Sequence, residues 1–250
     1  MRRVFIGLIC IVFSLSADNV YATFSVEANK NASLAFDASG VVKEVFVDVA
    51  SRVKKGAKLA QLVDDDTRAS IESAKAALES AEVTLKFAQR DYERQLKVRN
   101  LIDEGRFDAY EKAYETAKAN LSEIKANLHL KEALLRKTTL YAPFDGVIYE
   151  KSVEVGDVVS GMMLRTVFKI QSAQDRKLIL EFDQKYYKSV KVGQIFQYKL
   201  DGSEKIHSGV ITKLFPSASL DSKKLKAEVS AKDLLVGLFG DGYIITGEKK

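Results

Sequence analysis

The sequence predicts an α+β protein, mainly β with a long α-helical coiled-coil hairpin. Two observations predict it. Between Asp66 and about Lys137, apolar and small residues recur seven apart in two interleaved series, Ile71, Leu78, Leu85, Tyr92 with Ala74, Ala81, Ala88, then Phe107, Tyr114, Leu121, Leu128, Leu135 with Tyr110, Ala117, Ile124. This is the a/d seam of paired helices. On either side of it stands a copy of one β-rich pattern, a turn glycine followed by a β-branched strand, a polar turn and a second short strand, at Gly40–Leu59 and again at Gly146–Leu164.

The chain opens with Arg2-Arg3 and an apolar run from Val4 to Leu15, which reads as a secretory leader. The run is too short to span a bilayer comfortably. Val20-Tyr21-Ala22 offers permissive residues for cleavage after Ala22, with Ala17 a weaker site, so residues 1–22 are expected to be a signal peptide and 23–32 an N-terminal extension. The single cysteine, Cys10, reads as an h-region hydrophobe. A lipid-anchored cysteine is disfavoured by the bulky Ile9 before it. The mature chain then carries neither disulfides nor thiol chemistry. The 250 residues, 46% hydrophobic, allow one or two compact cores. The net charge of +5 is dispersed over the chain, which argues against nucleic acid and for a solvated surface with some attraction to anionic headgroups.

Setting Gly40 on Gly146 brings Val47 onto Val153, Val49 onto Val155 and Val53 onto Val159, and one skipped residue then brings Gly56 onto Gly161 and Leu59 onto Leu164. Each half has one apolar face and unpaired edges, so each is the natural partner of the other. The hairpin is therefore an insertion that leaves and re-enters one small β-sandwich. It leaves through Val63-Asp64-Asp65-Asp66, where three acids suit a helix start by capping amides and complementing the dipole, a better account than a cation site. Asp103-Glu104-Gly105-Arg106 marks the turn, with Gly105 as its glycine and Asp108 with Glu111 as the cap of the returning helix. Each arm would reach roughly 50 Å at about 1.5 Å per residue. The chain returns through Thr139-Leu140-Tyr141-Ala142-Pro143.

Split half-motifs of biotinyl/lipoyl type around a helical hairpin, the second half opening on Leu140-Tyr141-Ala142-Pro143-Phe144-Asp145-Gly146-Val147-Ile148, resemble the HlyD-type membrane fusion proteins, periplasmic adaptors of tripartite efflux pumps. In the last third, Glu181-Phe182-Asp183, Val190-Lys191-Val192-Gly193-Gln194, Gly209-Val210-Ile211 and Leu235–Gly240 resemble, in order, segments of that family's β-barrel. The resemblance implies a split lipoyl-like barrel-sandwich hybrid at 33–65 and 139–168, a coiled-coil hairpin at 66–138, a C-terminal β-barrel at 169–247 and a tail at 248–250. It also implies an adaptor between an inner-membrane transporter, commonly of the resistance-nodulation-division class, and an outer-membrane channel. Such adaptors self-associate into a ring in the periplasm, and a peripheral contact with the inner membrane is a further expectation. The family's channel-docking pattern at the hairpin tip is an arginine, a leucine and a serine. It falls here on Lys97, Leu101 and Asp108, of which only the leucine matches. The implied docking residues are Lys97, Leu101, Glu104, Gly105, Arg106 and Asp108, with Arg99 or Arg106 as the substitute guanidinium.

Three rival readings share parts of this pattern. A carrier domain for a covalent cofactor needs a lysine in the turn that the hairpin has replaced. An adaptor for an ABC-type exporter or a secretion machine would share the architecture, and a structural envelope coiled-coil protein would not need the split halves. No catalytic, cofactor-binding or metal-binding residues are expected, since His129 and His207 have no ligand set at suitable spacing.

Overall fold

The computed structural model describes residues 18–163, 165–219 and 222–247. Residues 1–17 of the expected leader, Leu164 of the second repeat copy and the tail 248–250 lie outside the described residues. The chain divides into two compact units, one of residues 32–170 and one that joins residues up to 31 to those from 171 onward.

In the first unit β2 (Asn31–Leu34), β3 (Gly40–Val45), β4 (Arg52–Val53) and β5 (Lys58–Leu62) precede the helices α1 (Asp65–Leu96) and α2 (Glu104–Lys137). After them come β6 (Thr139–Tyr141), β7 (Gly146–Lys151), β8 (Val158–Val159) and β9 (Phe168–Ser172). They form two four-stranded sheets, β2-β9-β7-β4 and β6-β5-β3-β8. The repeat halves exchange strands. Arg52 and Val53 of the first half pair with Val147 and Gly146 of the second, and Val158 and Val159 of the second pair with Val41 and Gly40 of the first. Each pairing is the other's image under the repeat alignment, so neither half can close a sheet alone. Val42 and Ile148, equivalent in the two copies, are buried in one core with Leu59, Leu62, Val153, Val159 and Phe168. The equivalence holds at the turn, where Ala50 and Gly156 both take positive φ (68° and 93°). It ends at Gly56 and Gly161. Gly56 turns at φ 80°, whereas a Cβ on Gly161 would lie 2.4 Å from the Asp37 carbonyl oxygen, so that glycine serves close approach and not a turn.

α1 and α2 pack antiparallel along the expected seam. In α1 the residues withdrawn from solvent include Ile71, Ala74, Leu78, Ala81, Leu85, Ala88 and Tyr92, and in α2 Phe107, Tyr110, Tyr114, Ala117, Leu121, Ile124, Leu128 and Leu135. Tyr92 stacks on Tyr114 at 5.3 Å, and Lys125 reaches Glu82 further down. No helix among the described residues is long and apolar enough to cross a membrane.

The second unit is a closed barrel in the order β1-β10-β13-β12-β11-β14, built from β1 (Asp18–Ala28), β10 (Asp175–Asp183), β11 (Ile195–Leu200), β12 (His207–Leu214), β13 (Lys224–Lys232) and β14 (Phe239–Thr246). Two expected boundaries change. Residues 18–22, expected in the leader, and 23–28, expected in the extension, form one strand of the barrel, in which Val20, Ala22, Phe24 and Val26 alternate into the core while β1 pairs with both β10 and β14. Ala22, the residue before the expected cleavage point, is held inside the barrel at 0% exposure. At the other boundary, β9 belongs to the sandwich, so the barrel resumes at Asp175 and not at Lys169. Arg176, also withdrawn from solvent, closes this end by donating to the carbonyls of Ser172, Ala173, Asp175 and Leu234.

Candidate docking site at the end of the helical hairpin

The end of the hairpin is built by one aromatic anchor and one cap. Phe107 is 1% exposed and sits 5.7 Å from the Tyr92 ring, so the seam ends on an apolar plug. The guanidinium of Arg99 lies 4.3 Å above the Phe107 ring and covers it from the solvent side. α1 ends at Leu96, with Lys97 still in helical conformation (φ −66°, ψ −24°), and a 3-10 turn, Arg99–Leu101, carries the chain across. α2 begins at Glu104. Its cap is Asp103, extended at φ −63° and ψ 139°, whose carboxylate accepts from the Arg106 amide at 3.2 Å.

This corrects the expected roles of two residues. Gly105 is in the first turn of α2 without positive φ, so it is not the turn glycine. Asp108 is an exposed residue of the second turn, one turn too late to cap. The reason is competition between two candidate caps: Asp103 is followed by Glu104, an acid suited to a helix first turn, and by Phe107, which must enter the seam four residues later. Of the expected docking residues, Lys97, Leu101, Glu104, Gly105 and Arg106 are all exposed at this end. Leu101 is 85% exposed and Leu96 and Val98 are 47% and 39%, so three apolar side chains close in sequence face solvent at this end beside exposed Lys97, Glu104 and Arg106. Leu96 and Val98 were not singled out by sequence reasoning, although their apolar character outside the seam series was a signal. Arg99, one candidate for the missing guanidinium, is engaged with Phe107, whereas Arg106 projects from the first turn.

At the base of the hairpin, Asp64 is 1% exposed and does not cap α1 with its side chain. One carboxylate oxygen accepts from Gln61 Nε2 (3.0 Å) and from Arg68 Nε (2.9 Å), with Arg68 Nη2 at 2.7 Å. The other has no hydrogen bond and Lys43 Nζ at 3.9 Å. The hydrogen bond from Arg68, with its charge, outweighs the cost of burial and holds the Asp64 carboxyl below the usual range. Asp65 and Asp66 remain in the first turn as dipole partners. Among the described residues no three His, Cys, Asp or Glu side chains gather as a metal site, and His207 stacks on Tyr198 at 5.5 Å.

Two half-motifs that exchange strands to close one sandwich, with a helical hairpin inserted between them, place the first unit in the barrel-sandwich hybrid class. Residues 30–171 match the CzcB-like barrel-sandwich hybrid domain, and the chain belongs to that family, the membrane fusion proteins. It is 25% identical to the multidrug export protein EmrA of Haemophilus influenzae, over 69% of this chain and 57% of the relative. It is 29% identical to the cobalt-zinc-cadmium resistance protein CzcB of Cupriavidus metallidurans, over 53% of this chain and 26% of the relative. The chain thus spans about half or less of the length of these curated relatives. Its fold is similar to that of the membrane fusion protein Spr0693 from Streptococcus pneumoniae R6 (TM-score 0.73, 15% identity, 92% of this chain and 100% of that one). It is similar also to a MacA-MexA chimera that carries the Pseudomonas aeruginosa MexA α-hairpin (TM-score 0.71, 22% identity, 92% of this chain and 82% of that one).

Proposed function

We propose that this protein is the periplasmic adaptor of an efflux pump, joining an inner-membrane transporter to an outer-membrane channel for the export of drugs, other small toxic solutes or metal ions. The hairpin would act as a coiled-coil rod whose end docks on the channel, and side-by-side packing of copies in a ring would line the conduit. The observation that carries the reading is Leu101, 85% exposed at the apex of a hairpin whose seam is otherwise closed. A large apolar side chain held in water at the end of a charged hairpin suits a surface that another protein covers. The work done is assembly, with no chemical step.

The test is Leu101→Asp. Because Leu101 contacts no core, the variant should fold within about 0.5 kcal/mol of the parent. It should nevertheless lose export of the pump's solute, and lose the capture of an outer-membrane channel by a photoreactive residue at Arg106 in intact envelopes. Normal export and capture by Leu101→Asp would remove the apex from the docking role. The inner-membrane protein that co-purifies identifies the transporter class, proton-driven or ABC-type.

A further inference from the structure

The register of the barrel gathers one set of loops at one rim. β1 begins there, with Asp18 opposite Thr246, and β10 ends there, with Asp183 opposite Lys224. β11 starts at the same rim, with Ile195 opposite Ile245, so residues 184–194, 215–219, 222 and 223 lie on it. The rim carries exposed Lys185, Lys188, Lys191 and Lys223, which make no ion pair among the described residues. Of the described acids nearby, Asp183 accepts from the Lys185 amide at 2.8 Å and keeps its charge, so the four lysines outnumber it, and Glu181 is shared by Lys224 (3.7 Å) and Lys226 (3.2 Å). Between the lysines stand exposed apolar and amphipathic groups, Tyr187 at 63%, Val192 at 57% and Phe215 at 40%. Lys185 and Lys188 lie 4.9 Å and 5.4 Å from the rings of Tyr186 and Tyr187. The opposite rim is mixed in charge, with Glu204, Asp201 and Asp233 among its lysines and Lys199 near Glu204 at 3.8 Å.

We propose that the rim formed by Lys185, Tyr187, Lys188, Lys191, Phe215 and Lys223 is a docking surface for the anionic phospholipid face of a membrane. Its chemistry has the two parts such a surface needs. Ammonium groups on long stems reach lipid phosphates, and tyrosine and phenylalanine rings sit at headgroup depth with one apolar side and, for tyrosine, one polar tip. Lysine is depleted from protein–protein interfaces, so four lysines on one rim suit a headgroup layer better than a folded protein partner. The inference does not rest on the adaptor reading, since a lipid surface recognises the rim whether or not the hairpin end docks on a channel.

The test uses the secreted form of the protein, which carries no cysteine once residues 1–17 are removed. An environment-sensitive fluorophore is attached at Ser189→Cys on this rim or at Glu204→Cys on the other. Vesicles of phosphatidylglycerol and phosphatidylethanolamine should shift the Ser189→Cys emission to the blue and leave the Glu204→Cys probe nearly unchanged. Phosphatidylcholine vesicles should shift neither, and high salt should weaken the response. Reversing Lys185, Lys188, Lys191 and Lys223 to glutamate should raise the lipid concentration for half response at least ~10-fold with an unchanged circular dichroism spectrum. If that variant misfolds, Lys188→Gln with Lys191→Gln should give about a threefold rise. Equal responses at the two rims, equal responses to neutral and anionic vesicles, or an unchanged response in the variant that folds would each overturn the proposal.

Discussion

The helical hairpin and the barrel reach stability by opposite routes. α1 and α2 meet across a short turn, and their seam joins residues such as Tyr92 and Phe107 that are near neighbours in sequence. The barrel is closed by β1, which lies between β10 and β14, so Ala22 pairs with Phe182 on one side and with Gly242 on the other. The difference teaches where each region tolerates change. The hairpin end can alter its surface without disturbing its seam, whereas the barrel depends on a strand at the far end of the chain.

The contrast is broken most sharply in β1. Val20→Asp places a carboxylate in the barrel core at a site 1% exposed and should cost about 4 kcal/mol or more. Chemical denaturation would show it, with loss of the barrel transition while the hairpin's helical signal persists. Cleavage after Ala22 would do comparable damage by removing Asp18–Ala22. An intact mass on secreted protein should therefore show residues 18–22 retained, as cleavage after Ala17 would leave them.

A smaller effect is expected at the base of the hairpin. Asp64→Asn removes the charge paired with Arg68 and should destabilise by about 1–3 kcal/mol, less than a fully buried pair because the Arg68 side chain is 57% exposed and can be rehydrated. The sign with pH follows from the depressed Asp64 pKa. Its stabilisation is fully present above the ordinary carboxylate range and is lost as pH falls through the folded value, below about 3.8. Stability curves measured from neutral to acid pH should therefore converge for parent and Asp64→Asn at the acid end.

Ala50→Gly relieves a non-glycine residue held at φ 68°, where the equivalent Gly156 sits at 93°, and should stabilise by about 0.5–1 kcal/mol in thermal unfolding. The smallest change is Gly105→Ala. A Cβ there meets only the Asp103 carboxylate at 3.2 Å, and helix propensity favours alanine, so stability should move by less than about 1 kcal/mol. A large loss would restore Gly105 as a turn glycine.

Much of the molecule was legible in the sequence where its signals are local. The heptad series read the seam residue by residue, and the repeat read the sandwich strands through Val159, because side-chain period follows directly from backbone geometry. The hairpin apex was legible as a position and misread in detail. Asp108 and Asp103 are equally good caps by type, and only the demand that Phe107 enter the seam decides between them.

What the sequence by itself determined is therefore the hairpin, the split sandwich and the exposure of Leu101 at the turn. The tertiary structure alone decided that Val20 and Ala22 belong to the barrel, that Asp64 turns inward to Arg68 instead of capping α1, and that four lysines and an exposed tyrosine share one rim. Each of these depends on pairings between residues far apart in the chain, and a short stretch of sequence carries no record of what will lie against it.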